Sequence, residues 1–264
     1  MEAWGIALTG TLVGLLLALT GAGGSMLAGP MLILLFGLDV RHAAPVALLA
    51  VVLASGTGSM LGLRQGKVRY RAAMLIAITG ILGMPFGLWL AQITPNRVLL
   101  VVSSILLSWV GWRKWFLVPV HAVQNSQPCL VHPVGGRFMW NTPCVYSLAG
   151  SGGLAGLLSG LLGLGGGFVV LPALQHFSNL PYPAIIATTL SALALISLAT
   201  LTVSASSGLL DLHVALPFAL GAVTGMLLGM RMLPTMPKIL TQRLFSALAA
   251  VVAISLLWRA AGAA

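Results

Sequence analysis

The chain has 264 residues, 59% of them apolar and 6% charged, and a mean hydropathy of +1.06. So few polar groups cannot clothe a water-soluble globule, which leaves an all-α integral membrane protein that crosses the bilayer several times. The net charge of +10, from 13 basic against 3 acidic residues, does not call for nucleic acid. The basic residues lie in short clusters between apolar runs, where the positive-inside rule puts them.

Residues 4–38 are almost continuously apolar, yet a straight helix of that length would far exceed the hydrocarbon core of about 30 Å. Two short helices around a glycine break at Gly21-Ala-Gly-Gly-Ser25 fit better. The leading residues carry Glu2 and no basic residue, so the apolar start is read as retained structure rather than a secretory signal. Residues 42–63, 72–92 and 97–117 follow as three full spans. A polar stretch at 118–147, rich in Pro, His, Asn and Gln, is unsuited to spanning. It holds Cys129 and Cys144 without CxxC or CxxH spacing, so no metal site is expected there, and the sequence does not decide whether they pair. A second broken segment at 148–180 and spans near 183–206, 212–232 and 239–259 complete the plan.

The two halves are copies. A shift of 142 positions carries Gly21, Gly23, Gly24 and Pro30 onto Gly163, Gly165, Gly166 and Pro172. It also pairs Gly14 with Gly156, Gly66 with Gly208, Gly83 with Gly225, Gly87 with Gly229 and Pro95 with Pro237. Chance at this composition would give roughly one or two such identities. The expected organisation is a first transmembrane repeat over 1–117, a polar cytoplasmic linker over 118–147 and a second repeat over 148–264, with about eight hydrophobic segments in all.

Charge predicts opposite orientations for the halves. Arg64, Lys67, Arg69 and Arg71 put one loop in the cytoplasm, and Arg113 with Lys114 puts the linker there, whereas the equivalent loop from Ser206 to His213 has no Lys or Arg. Parity then requires residues 148–180 to leave and return on one side, with both termini outside. Inverted repeats with interrupted helices are the usual plan of secondary transporters, whose site lies at the repeat interface near mid-membrane.

Glycine and proline disrupt helices, and the residue before proline favours extended backbone. Positions 21–29 and 163–171 are therefore expected as interruptions, with Pro30 and Pro172 opening the next helices. No ionisable residue lies deep in a span: Asp39 and Asp211 fall at ends, which weakens mechanisms based on a buried proton relay. There is no HExxH and no telling Ser/His pair, so neither an enzyme nor a cofactor is expected. What remains is backbone and hydroxyls. A helix N-terminus offers unpaired N–H groups and partial positive charge to an oxyanion, and glycine allows close approach. The candidate substrate-binding residues are Gly23, Gly24 and Ser25 in the first break and Gly165, Gly166 and Gly167 in the second. Hydroxyls could complete the cradle: Ser55 and Thr57 in one half, Thr188, Thr189 and Ser191 in the other, with Ser59 beside them and Gln175 and His176 as polar lining. The alternative role of the glycines is close helix packing.

The G-x-G-G-G-x4-P pattern is complete at Gly163 to Pro172 and has Ser25 in place of its last glycine in the first copy. Set in a duplicated four-segment hydropathy plan, it resembles the sulfite exporter TauE/SafE family over nearly the whole chain apart from the linker. The resemblance implies a permease of the bacterial inner membrane that exports small sulfur-containing anions such as sulfite or organosulfonates. The partners expected are that anion, the lipid bilayer and a coupling proton or sodium ion; a homo-oligomer is compatible with this plan, and nucleic acid is not expected. The competing function is a non-transporting membrane partner whose linker and Arg64-to-Arg71 loop dock a cytoplasmic protein.

Overall fold

The computed structural model describes residues 3–116, 129, 141–205, 210–232 and 238–262; most of the linker, Gly208 and Pro237 lie outside them. Ten helices occur among the described residues: α1 (Ala3–Thr20), α2 (Gly23–Phe36), α3 (Val40–Arg64), α4 (Tyr70–Ile93), α5 (Asn96–Phe116), α6 (Thr142–Leu162), α7 (Gly167–Phe177), α8 (Tyr182–Ala205), α9 (Leu212–Met232) and α10 (Lys238–Gly262). The fold is the all-α inverted repeat expected from the sequence. Five of the helices, α3, α4, α6, α8 and α9, are long and apolar enough to cross a membrane. Large aromatic residues sit exposed near helix ends: Trp4 and Trp258 at one face of the bundle, Tyr70, Trp112 and Tyr146 at the other. Amphipathic rings at two levels are the signature of the two bilayer interfaces.

In lipid the apolar effect does not draw helices together, so small residues and close backbone approach must do it. Here that work falls on α1 against α9 and on α4 against α6. A methyl on Gly14 would lie 1.9 Å from the Ala222 carbonyl oxygen, and one on Gly156 would lie 1.8 Å from that of Gly80. These two contacts are related by the same 142-residue shift, which carries Gly14 to Gly156 and Gly80 to Ala222. Gly10 against Phe218 and Gly152 against Ile76 form a second such pair, as do Gly83 against Gly153 and Gly225 against Thr11. The duplication is therefore reciprocal in space: the first helix of each half packs on the second full span of the other.

Direction follows from the same contacts. Gly10 and Gly14 meet Phe218 and Ala222 in rising order, so α1 and α9 run parallel, and Gly152 and Gly156 meet Ile76 and Gly80 likewise for α4 and α6. In contrast Gly62 meets Ala187 while Ser59 bonds Ser191 at 2.7 Å, so α3 and α8 run antiparallel. With α3 and α4 joined by a short turn, only oppositely inserted halves satisfy all three relations.

Each glycine-rich segment is a hairpin. Gly24 abuts Val13 and Leu17 of α1, and Gly166 abuts Ala155 of α6, so α2 and α7 fold back along the helix before them. The second hairpin is tied at its open end. Cys129 forms a disulfide with Cys144 near the start of α6, and the Cys129 N–H donates to the Phe177 carbonyl at the end of α7, 3.0 Å away. The start of α6 and the end of α7 thus lie at one level, and an 11-residue α7 of about 16 Å cannot span. This hairpin starts and ends at one side of the bundle.

Two local expectations need correction. Pro30 and Pro172 do not open the second helices: α2 already begins at Gly23 and α7 at Gly167, and each runs through its proline. The breaks shrink to residues 21–22 and 163–166. Proline inside a helix forfeits one hydrogen bond, and in a packed helical membrane protein neighbouring groups compensate. In addition α6 begins at Thr142, ahead of residue 148, with Asn141 in extended geometry before it and Pro143 in its first turn, where proline is at home.

Candidate functional site

The two breaks meet inside the bundle. The first turns of α2 and α7 lie side by side in opposite directions: Gly167 faces Ala22, Gly21 faces Leu171 and Gly29 faces Leu164. Gly165 touches Val51 of α3 and Leu193 and Ser197 of α8, all near the midpoints of those helices. Six of the residues expected to cradle an anion, Gly23, Gly24, Ser25, Gly165, Gly166 and Gly167, are thereby buried in one region at mid-depth.

The local geometry of the breaks differs. In the first, only Gly21 has a left-handed backbone, φ +73°. The Thr20 hydroxyl accepts the N–H of Gly23 at 2.8 Å, which gives the new helix a partner for one of its orphan donors. The Ser25 hydroxyl donates back to the Ala22 carbonyl at 2.8 Å. Phe245 of α10, fully buried, lies over Gly23: a methyl there would be 2.5 Å from the ring. In the second break Gly163, Gly165 and Gly166 all have φ between +66° and +70°, a region closed to most side chains. No side chain caps α7, and among the described residues the N–H groups of Gly165, Gly166, Gly167 and Phe168 have no hydrogen-bond partner.

Two antiparallel helices wall the breaks. On α8 the residues Ile186, Thr189, Leu193, Ser197 and Thr200 recur at three- and four-residue spacing, so they form one stripe. Ile186 touches Gly21 of the first break, and Leu193 touches Gly165 and Gly167 of the second. Thr189 and Ser197, the stripe positions on either side of Leu193, are fully buried, and neither hydroxyl has a hydrogen-bond partner. A methyl on Gly165 would lie 2.9 Å from Ser197 Oγ. The matching stripe on α3 reads Ala44, Ala47, Val51, Ser55 and Gly58.

The other hydroxyls expected at the site are engaged elsewhere. Ser55 donates to the Val51 carbonyl, Thr57 is half-buried and donates to Ala54, and Ser191 bonds Ser59 and its own helix. Thr188 accepts the Arg69 N–H at 3.1 Å and so anchors the turn before α4. Gln175 and His176 are exposed at the far end of α7, roughly three turns from the break; the structure does not bring them to the glycines. Ser197 is the residue that sequence reading missed. The signal was present, because Ser197 is Ser55 shifted by 142 positions. Among the described residues no group of His, Cys, Asp and Glu is arranged to hold a metal.

Comparison with known proteins gives the family. The profile of the sulfite exporter TauE/SafE family matches residues 6–256, which includes both breaks and all the helices that wall them. The chain belongs to the sulfite exporter TauE/SafE family. Two proteins of Xylella fastidiosa, each named "Probable membrane transporter protein", align with this TauE/SafE chain over 254 residues: that of strain 9a5c is 30% identical and that of strain Temecula1 / ATCC 700964 is 29% identical. Each alignment covers 95% of this chain and 93% of the relative. No solved structure matches it. As a TauE/SafE member the chain is a membrane transporter.

Proposed function

We propose that this protein is a secondary transporter that exports small sulfur-containing anions, such as sulfite or organosulfonates, by alternating access around the two glycine breaks. The observation that carries the reading is the meeting of two oppositely directed helix N-termini at mid-depth, between the antiparallel α3 and α8. A helix N-terminus favours negative charge through its partial positive end and its unpaired N–H groups. Two of them, contributed by halves of opposite orientation, give an anion a site that either half can uncover toward its own side. The family description names sulfite, which fits a site built of backbone donors and hydroxyls without a fixed cation.

We place the protein in the bacterial inner membrane with the α5–α6 linker in the cytoplasm and both termini outside. The helix ends on the linker side carry Arg64, Lys67, Arg69, Arg71, Arg113, Lys114, Arg231, Lys238 and Arg243; the opposite ends carry Arg41, Arg97 and Arg259. The Cys129–Cys144 disulfide argues the other way, because such bonds persist in oxidising compartments. One reversible bond weighs less than so large a charge bias, and in the cytoplasm the pair would be held reduced. Cysteines placed one at a time at Lys67 and Leu210 test the orientation: an impermeant maleimide added outside intact cells should label Leu210→Cys and spare Lys67→Cys. Labelling of both from the same side would remove the inverted assignment.

The transport reading is tested by flux in proteoliposomes. Sulfite, sulfoacetate and, as a non-sulfur control, acetate are loaded in turn, with and without a proton gradient. Protein-dependent flux of at least one sulfur anion is expected, and absence of flux for all of them would sink the reading.

A further inference from the structure

The site need not use its two breaks equally, and the residues around them differ where the duplication would make them alike. The 142-residue shift that superposes the breaks carries Phe245, the ring lying over Gly23, onto Ser103 of α5, and carries Thr20, the acceptor of the Gly23 N–H, onto Leu162. The first break is thus covered by an aromatic ring and has an acceptor for one N–H, that of Gly23, although those of Gly24 and Ser25 have no partner among the described residues. The second has neither. The walls are unequal in the same sense: Thr189 and Ser197 of α8 correspond to Ala47 and Ser55 of α3, and Ser55 already donates to its own helix.

We propose that the second break alone holds the anion, and that Ser197 Oγ is the side chain that binds it together with the N–H groups of Gly165, Gly166 and Gly167. The proposal rests on the transport reading above and narrows it to one end of the site. Two independent observations point to a ligand at this place. The N-terminus of α7 has no cap, and Ser197, fully buried and lying against Gly165, has a hydroxyl with no partner in the protein. A buried hydroxyl left unpaired destabilises a protein, so its retention needs a reason outside the folded chain's own bonds. An oxyanion seated on Gly165 supplies the missing acceptor. The ligand class is a small anion with three or more oxygens about one centre, large enough to reach several N–H groups and Ser197 together. Thr189, the other unpartnered hydroxyl on the stripe, lies toward the first break and would be met as the anion leaves.

The test uses Ser197→Ala and its repeat mate Ser55→Ala in the full-length protein in proteoliposomes, with sulfite as the probe. Half-saturating sulfite should rise about tenfold or more in Ser197→Ala, as befits a lost hydrogen bond to a charged group. In Ser55→Ala it should change by less than about twofold. A second readout separates binding from a structural role. Because Ser197→Ala removes an unpaired buried hydroxyl, the thermal midpoint without sulfite should stay level or rise, while the upward shift that sulfite gives the wild type should shrink. Equal changes in the two variants, or a Ser197→Ala protein with wild-type half-saturation, would overturn this assignment and leave transport standing. A wild type that carries neither sulfite nor sulfoacetate would overturn the transport reading and this assignment with it.

Discussion

The two glycine breaks descend from one sequence and have become different structures. The first is two residues long, has one left-handed glycine, satisfies its Gly23 N–H through Thr20 and is roofed by Phe245. The second is four residues long, has three left-handed glycines and leaves the N–H groups of Gly165 and Gly166 unpaired beside an unpaired serine. An internal duplication fixes the topology of both halves, yet a handful of side chains makes the two breaks chemically unlike. Pseudo-symmetry in the backbone does not impose symmetry in the chemistry.

The largest effect expected tests the frame that both breaks share. Gly156→Leu drives a side chain into the Gly80 carbonyl, and Gly14→Leu drives one into that of Ala222. Backbone cannot yield as a side-chain tip can, so both should abolish folded protein, seen as loss of the monodisperse peak in detergent gel filtration. If either variant assembles normally, the reciprocal packing of α1 on α9 and of α4 on α6 is wrong.

Next in size is the clasp that only the second half possesses. The Cys129–Cys144 bond closes a loop with a sequence separation of 15, for which chain entropy gives about 3 kcal/mol. Replacing both cysteines with serine should lower the thermal midpoint of the oxidised protein and make it indifferent to dithiothreitol. An unchanged midpoint would mean that the unlinked chain is held just as well by the Cys129 contact with Phe177.

Within the breaks, Gly166→Ala should be far costlier than Gly23→Ala. The first substitution places a methyl 2.3 Å from the Ala155 carbonyl oxygen on a left-handed backbone; the second meets the movable ring of Phe245 and the Thr20 hydroxyl. Sulfite flux per folded molecule should fall at least tenfold for Gly166→Ala, equivalent to about 1.4 kcal/mol, and by less than about threefold for Gly23→Ala. The reverse order would make the first break the working one. The smallest expected effect is that of Phe245→Leu, which thins the roof of the first break. If that break does not bind, half-saturating sulfite should move by less than about twofold.

Much of this could be read from the residues alone. Hydropathy fixes the bilayer as solvent, because a chain with 6% charged residues has no other way to satisfy its surface. The duplicated glycines and prolines fix the inverted repeat, since such residues are costly inside helices and are not shared by accident. The G-x-G-G-G-x4-P motif, copied 142 residues apart, marks where the helices break. Local rules fail where they meet a crowded interior. Proline was expected to open α2 and α7, but packing on neighbouring helices tolerates it within them. Gln175 and His176, close to the motif along the chain, sit roughly three turns down α7 at its exposed end, since a helix turns nearness in sequence into distance along an axis.

What the sequence determined by itself is the solvent, the number and opposite insertion of the halves, and the two points at which helices must stop. These depend on composition and periodicity, which act locally. Only the tertiary structure decided that the two breaks lie side by side between α3 and α8, that Phe245 covers one of them and that Ser197 faces the other unpaired. Those facts depend on which residue of one helix meets which residue of another, and that register comes from close backbone contacts such as Gly156 on Gly80, formed only once all the helices are in place.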